Sequence, residues 1–481
     1  MQQDTYDLAI IGSGPGGYKA AITAAQLGAR VALIERNEQG GTCLNKGCIP
    51  KNTLLHLAKL MEDVKALNGF GIHGDIQGDF AAALLHKENV ISDIRNSFPI
   101  WLKKLGVHIF HGHAHLNTDG TIDVSDPGED SLQTIQSNKI IIATGSKAIE
   151  HPACKVDGTR ILDSYHFLTT LQDLPESILC VGGGAIGTEF AFLLHQFGAQ
   201  VTIAENSDRL LNQDNIPERA SVLLERKFRR LGVDVLKNID VTEVTSTDTG
   251  VEVTFSDQSR HQYSHVLVAI GRSPLTDGLG LENVGVNMDD AGFIVTNSKL
   301  ETSTQNIYAI GDVKRGPMTA NSALHDGKIA ASNAVRNTHL TVNYHIVPIV
   351  IDSALEIAAV GLTEEMAENA GFSPDVARGN FTGSPKARGR LDYEGFIEVV
   401  HDEETGQMLG GCIVGPEAGE QIQMLTAACQ SPRGLWLFTD INYSHPSWCE
   451  ELEHAIYPYI NEFSQSEHEI FQPGIYARHN Q

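Results

Sequence analysis

The stretch Gly40-Gly41-Thr42-Cys43-Leu44-Asn45-Lys46-Gly47-Cys48-Ile49-Pro50-Lys51 sets two cysteines five positions apart, with glycine directly before the second and proline just after it. A helical period follows, because Leu54, Leu57, Ala58 and Met61 fall at i, i+3, i+4 and i+7. Pro50 suits the first turn of that helix, where its missing N–H costs nothing. Cys48 therefore stands just before a helix N-terminus, whose dipole favours an anion and so the reactive thiolate. Five residues can bend far enough to bring two Cα atoms within disulfide range, about 4.4–6.8 Å. The stretch reads as a redox-active disulfide. Half of a zinc site would need a second cysteine pair, and His56 is a single nearby candidate. A purely structural disulfide would be unusual in a cytosolic chain. Glycines beside both sulfurs point to a flat cofactor packed against the backbone.

Upstream, Tyr6 to Ile11 reads as a strand, Gly12, Gly14 and Gly17 form GxGxxG, and a helix from Tyr18 to Leu27 follows. A second strand, Val31 to Ile34, ends at Glu35. That context makes a dinucleotide-binding βαβ unit: the glycines admit a pyrophosphate to the helix N-terminus, and Glu35 accepts from a ribose hydroxyl pair. The pattern recurs 170 residues later with Gly182, Gly184, Gly187 and Glu205, and in both copies the first glycine and the acid are 23 residues apart. A carboxylate at Glu205 repels a 2′-phosphate, and no arginine follows until Arg209, so NAD is expected at the second site rather than NADP.

The chain has 481 residues, too many for one core, with 41% apolar residues and a net charge of −25. That charge argues against nucleic acid or an anionic membrane as partner. No run of about 18 apolar residues suggests a membrane span. The N-terminus lacks a basic, apolar leader, and seven cysteines, an odd number, fit a reducing compartment, so the expected location is cytoplasmic.

Phe80 to Leu105 reads as a helix pair or one long helix. His108, His111, His113 and His115 cluster, and strand alternation puts His111, His113 and His115 on one face. No further ligand set accompanies them, so they read as a strand at the cofactor's edge, and no metal is expected. Ile140 to Ala143 ends in Thr144-Gly145, and His265 to Ile270 ends in Gly271-Arg272. A third such strand, Ile307 to Ile310, ends in Gly311-Asp312 and returns the chain to the first cofactor, with Asp312 reaching its ribityl or phosphate region. After about residue 345, strands and amphipathic helices alternate without a glycine-rich loop, the pattern of an antiparallel α+β domain. The end of the chain, 464–481, reads as an extended tail.

These motifs resemble the pyridine nucleotide-disulfide oxidoreductases, the flavoprotein group of dihydrolipoamide dehydrogenase, glutathione reductase and mercuric reductase. The resemblance rests on Gly40-Gly41-Thr42-Cys43-x4-Cys48, His445-Pro446-x3-Glu450, Ala143-Thr144-Gly145, Ala269-Ile270-Gly271-Arg272 and Gly311-Asp312. Gly17-Tyr18-Lys19-Ala20-Ala21-Ile22 and Cys43-Leu44-Asn45 resemble the dihydrolipoamide dehydrogenase branch. Residues Ile22 and Thr23 stand where glutathione reductases carry arginines. Four stretches depart from the branch: Lys51-Asn52 after Cys48-Ile49-Pro50, Ser447 for threonine after His445-Pro446, Asn321 for histidine, and Ser353-Ala354-Leu355-Glu356 for Thr-x-Pro-Glu.

The resemblance implies an α/β fold with two Rossmann-like domains, for FAD and NAD, and a C-terminal α+β dimerisation domain. The expected divisions are 1–148 and 273–345 for FAD, 149–272 for NAD and 346–481 for the interface. It implies that Thr42, Ala114, Thr144, Gly145, Asp312, Ala320, Gly271 and Arg272 line the cofactors, and that Lys51, paired with Glu189, lies by the flavin. Catalysis would use Cys43, Cys48, His445 and Glu450, with His445 acting in the other subunit of a homodimer. The implied activity is oxidation of a dihydrolipoyl dithiol with reduction of NAD. The dithiol would be free or carried on a 2-oxoacid dehydrogenase complex or a glycine cleavage carrier protein. An NAD(P)H-dependent reductase of another disulfide, or a non-catalytic flavoprotein scaffold, is the alternative.

Overall fold

The computed structural model describes residues 5–126 and 132–463. The expected tail, 464–481, lies outside them. Two five-stranded parallel sheets share one plan. The first runs Ile307–Ala309, Ile140–Ile142, Leu8–Ile11, Val31–Glu35, His108–His111. The second runs Asp234–Leu236, Gln200–Ala204, Ser177–Val181, His265–Val268, Ile161–Asp163. In each, a three-stranded antiparallel sheet is inserted before the strand that returns to the centre: 113–135 in the first, 241–263 in the second.

The central strands are apolar on both faces because both faces are covered. Ala9, Ile11, Ile140 and Ile142 pack with Leu116, Ile122 and Val124 of the inserted sheet. Leu8, Ile10, Val31 and Leu33 pack against helix α1 (Pro15–Gln26) and the helix Ala320–Arg336. The two helices meet closely: a Cβ on Gly327 would lie 2.3 Å from the Gly16 carbonyl oxygen. Strands Ser146–Ala148 and Arg272–Pro274 pair antiparallel and tie the two units together.

Between the first and second strands of the chain and the third come α2 (Gly41–Lys46), α3 (Cys48–Ala66) and α4 (Phe80–Lys104). α4 is one helix, capped by Asp79, whose side chain accepts from the Ala82 N–H at 3.0 Å. The apolar face of α3, Leu54, Leu55, Ala58 and Met61, packs on Phe190, Leu193 and Leu194 of the helix Ala185–Phe197. The C-terminal sheet is antiparallel throughout, in the order Ile349–Asp352, Glu356–Gly361, Met408–Val414, Phe396–Asp402, Pro374–Gly379. Helices Ala418–Gln430 and Glu450–Phe463 cover it.

The histidine run corrects the expectation of one strand. His108–His111 closes the first parallel sheet, Gly112 turns the chain at φ +140°, and His113–Leu116 starts the inserted sheet. The rings disperse: His108 Nδ1 meets the Tyr6 hydroxyl, His111 Nδ1 the Asp126 carboxylate, and His115 Nδ1 the Gly278 carbonyl. Among the described residues, no three histidine, cysteine or acidic side chains converge as a metal cluster. Nor is any described helix long and apolar enough to cross a membrane.

Candidate active site

Cys43 lies in the short helix α2, and Cys48 is the first residue of α3 rather than the residue before it. Gly40 and Gly41 turn the chain at φ +96° and +61°, which glycine alone adopts readily. Gly47 lets the two helices close, since a Cβ there would lie 2.9 Å from the Thr42 carbonyl oxygen and 3.3 Å from Cys43 Cα. Cys43 and Cys48 are both half-buried and stand as free thiols. The Cys43 thiol hydrogen-bonds Cys48, which raises Cys43 and lowers Cys48; burial opposes the lowering and the Lys51 ammonium aids it. Cys48 is thus the sulfur prepared to be a thiolate. Tyr18 stands close enough that its hydroxyl is raised by burial and then by both cysteines.

One turn beyond Cys48, Lys51 Nζ lies 2.5 Å from Glu189 Oε1 and 3.2 Å from Asp352 Oδ2. The Lys51–Glu189 pair expected from sequence is present; Asp352 is a partner that sequence reading missed. Glu189 is buried at 4% exposure and its Oε1 also accepts the Asp352 N–H at 3.0 Å.

The two glycine loops repeat in three dimensions. Added Cβ atoms on Gly12 and Gly182 would lie 2.3 and 2.5 Å from the carbonyl oxygens of Ala143 and Ala269. On Gly17 and Gly187 each would lie 1.9 Å from the carbonyl oxygen of the first glycine of its own loop. The middle glycines face open space: the nearest atom to a Cβ on Gly14 is 4.0 Å away, and nothing lies within 4 Å at Gly184. Gly14 and Gly184 are also the N-caps of their helices, with no side-chain cap. Both loops therefore fit a dinucleotide pyrophosphate, with free helix N–H groups facing a space that only glycine leaves open.

The acids match as well. Glu35 Oε2 accepts from the Ser13 N–H at 2.9 Å, and Glu205 Oε2 from the Gly183 N–H at 2.6 Å. Their second oxygens accept from the N–H two residues on, Asn37 at 2.9 Å and Ser207 at 2.8 Å. Each carboxylate also accepts from a serine hydroxyl, Ser13 Oγ on Glu35 and Ser207 Oγ on Glu205, and with about four acceptor positions each keeps one for a ribose hydroxyl.

The other expected residues separate into groups. Thr42 lies in α2, buried Ala114 in the inserted sheet, and Ala320 at the start of the helix Ala320–Arg336. Gly145 and Gly271 turn at φ +75° and +121°, and Thr144 Oγ1 donates to the Leu275 carbonyl at 2.6 Å. Arg272 Nε donates to Ser146 Oγ at 2.7 Å, and Ser146 Oγ donates to Asp312 Oδ2 at 2.7 Å. Arg272 thereby joins the first unit's Asp312, not the second glycine loop.

His445 Nδ1 meets Glu450 Oε1, and Glu450 Oε2 accepts the Ser447 N–H at 2.6 Å. The His445-Pro446 bond is cis. The His445 ring is 71% exposed. Within the protomer, among the described residues, no hydrogen bond joins this loop to Cys43 or Cys48.

The family model described as pyridine nucleotide-disulphide oxidoreductase matches residues 6–327, and that of the family's dimerisation domain matches 347–456. The chain belongs to the pyridine nucleotide-disulphide oxidoreductases. The dimerisation domain supports a homodimer of this oxidoreductase. It is 34% identical over 461 residues to a dihydrolipoyl dehydrogenase of Halobacterium salinarum, covering 94% of this chain and 96% of that one. It is 35% identical over 461 residues, with the same coverage, to a dihydrolipoyl dehydrogenase of Thermus scotoductus. Among solved structures it is similar to the HOCl-induced flavoprotein disulfide reductase RclA of Escherichia coli, solved as a Cu(II) complex. The TM-score is 0.83 and the identity 28%, over 95% of this chain and all of that one. The cofactors of this oxidoreductase are FAD and NAD, which its two glycine loops fit.

Proposed function

We propose that this oxidoreductase is an NAD-dependent dihydrolipoyl dehydrogenase. The observation that carries the reading is the thiol pair Cys43–Cys48 beside Lys51 and Glu189, in a chain whose two glycine loops both fit dinucleotides. The names of its relatives favour a dihydrolipoyl substrate.

The partner subunit's His445, held by Glu450, takes the proton of a substrate thiol. The substrate sulfur attacks Cys43 of the oxidised pair, the Cys43–Cys48 bond breaks, and Cys48 leaves as a thiolate. The second substrate thiol loses its proton and displaces Cys43, which releases the cyclic disulfide. Cys48 keeps the electron pair, stabilised by the Lys51 ammonium. FAD held at the first glycine loop and by Glu35 would supply the hydride chemistry between this thiol pair and NAD, and the Cys43–Cys48 bond would re-form as the pair gives up its two electrons. Glu205 holds the NAD ribose and disfavours a 2′-phosphate.

The site therefore requires two chains, His445 serving the cysteines of its partner across a two-fold axis. The dithiol is carried in the cytoplasm on a 2-oxoacid dehydrogenase complex or a glycine cleavage carrier. The deciding assay compares NAD reduction by dihydrolipoamide with NADPH oxidation by glutathione disulfide. Turnover in the second assay alone would replace this reading with a glutathione-type reductase.

A further inference from the structure

Lys51 is held from two directions. Glu189 comes from the helix Ala185–Phe197, and Asp352 ends the strand Ile349–Asp352. The Asp352 N–H donates to the same Glu189 oxygen that Lys51 meets. The three side chains form one knot among α3, the second dinucleotide unit and the C-terminal sheet. One ammonium faces two carboxyl groups; burial raises the Glu189 carboxyl above its ordinary range, Lys51 opposes that rise, and the charge of Asp352 adds to it. Asp352 is also the member that water reaches: its side chain is 31% exposed, against 16% for Lys51 and 4% for Glu189.

Cys48 sits one helical turn before Lys51, on the same side of α3. Its charged surroundings are Cys43, Lys51, Glu189, Arg272 and the Tyr18 hydroxyl. Lys51 favours the thiolate and Glu189 disfavours it. Asp352 faces Lys51 and Glu189, and Glu356 lies directly across the strand pair from it. Asp352 is held against the same ammonium that favours the Cys48 thiolate, and it is more exposed than Lys51 or Glu189.

We propose that Asp352 is a positioning residue of the redox site, a second carboxylate on Lys51 that offsets the lysine's charge and holds the Cys48 thiolate less stable than the Lys51–Glu189 pair alone would. The proposal deepens the reading of Cys48 as the electron-passing sulfur. A less stable thiolate gives up its electron pair more readily, which suits a site that sends electrons toward NAD.

The test follows the chemistry of Cys48 without turnover. In FAD-loaded Cys43→Ser protein, Cys48 is alkylated with iodoacetamide across a pH range, and the modified peptide is followed by mass spectrometry. Adding Asp352→Asn should move the profile to lower pH by about half a unit, roughly a threefold gain in thiolate on the acidic side. Asp352→Glu should restore the parent profile. Asp352→Ser should move it as Asn does, which guards against misfolding of one variant. Profiles that superimpose, or that move to higher pH, would overturn the proposal. Dihydrolipoamide turnover by the wild-type chain tests the functional reading separately, so either can fail alone.

Discussion

His445 Nδ1 lies 2.7 Å from Glu450 Oε1, and this hydrogen bond leaves Nε2 at the tip of a ring that is 71% exposed. The carboxylate is held below its ordinary range first by the Ser447 N–H and then by His445 itself. A base so oriented and so exposed is aimed outward from its own protomer. His445→Ala should cut dithiol oxidation by roughly 10²–10⁴-fold. Mixed dimers of His445→Ala and Cys43→Ser subunits, each inactive alone, should regain one working site of two. Heterodimers that form yet stay inactive would reject the cross-subunit site.

Gly17→Ala and Gly187→Ala should separate the two cofactors. Each adds a Cβ 1.9 Å from a backbone oxygen, so each loop must open. The first variant should lose FAD on gel filtration. The second should keep its yellow flavin spectrum and lose NAD binding in calorimetry. Glu205→Ala should weaken NAD but narrow its advantage over NADP, read as the ratio of kcat/KM values.

Trp448 stands between His445 and Glu450 and is 5% exposed. Its ring meets Phe381 edge-on at 5.9 Å, with Lys386 Nζ 5.4 Å and Arg390 5.9 Å from its centroid. Trp448→Ala should cost about 3–5 kcal/mol, the ordinary price of emptying a large aromatic site. Thermal unfolding measures it. Trp448→Phe should recover most of the stability.

Burial pushes the Glu356 carboxyl from 4.5 up to about 7, the Gly419 N–H opposes the shift, and the carboxylates of Asp352 and Glu417 add to it. Between those two values the folded protein binds more protons than the unfolded chain. The group's contribution to stability is thus full below pH 4.5 and lost as pH rises through about 7. Glu356→Gln removes that loss, a gain over the parent of about 3 kcal/mol at pH 8 relative to pH 4.5. Melting temperatures of both proteins across this range should diverge upward with pH; parallel curves would contradict it.

The residues that sequence reading found are those whose partners lie close in the chain or whose pattern repeats. In each copy the first glycine and the acid stand 23 residues apart, and the second copy repeats the spacing of the first. The cysteine pair is equally local, although the separate helix α2 around Cys43 has too few residues to show a period. His111, His113 and His115 misled because alternation was carried through Gly112, the one residue there able to turn at φ +140° and change sheets. Asp352 left no trace, since 301 residues separate it from Lys51 and nothing near it repeats. Arg272 was visible as a motif, but its link to Ser146 and Asp312 exists only once the two units are joined.

The edge strand Ile307–Ala309 and the helix Ala320–Arg336 complete the first parallel sheet, whereas every strand of the second lies between residues 161 and 268. During synthesis the inner unit therefore has all its strands in hand while the outer one still waits. Until Gly327 arrives at Gly16, the face of α1 that carries Ala20 and Ala21 lacks its cover. The first dinucleotide unit is the later of the two to close, and its completion depends on a chain that has already built its neighbour.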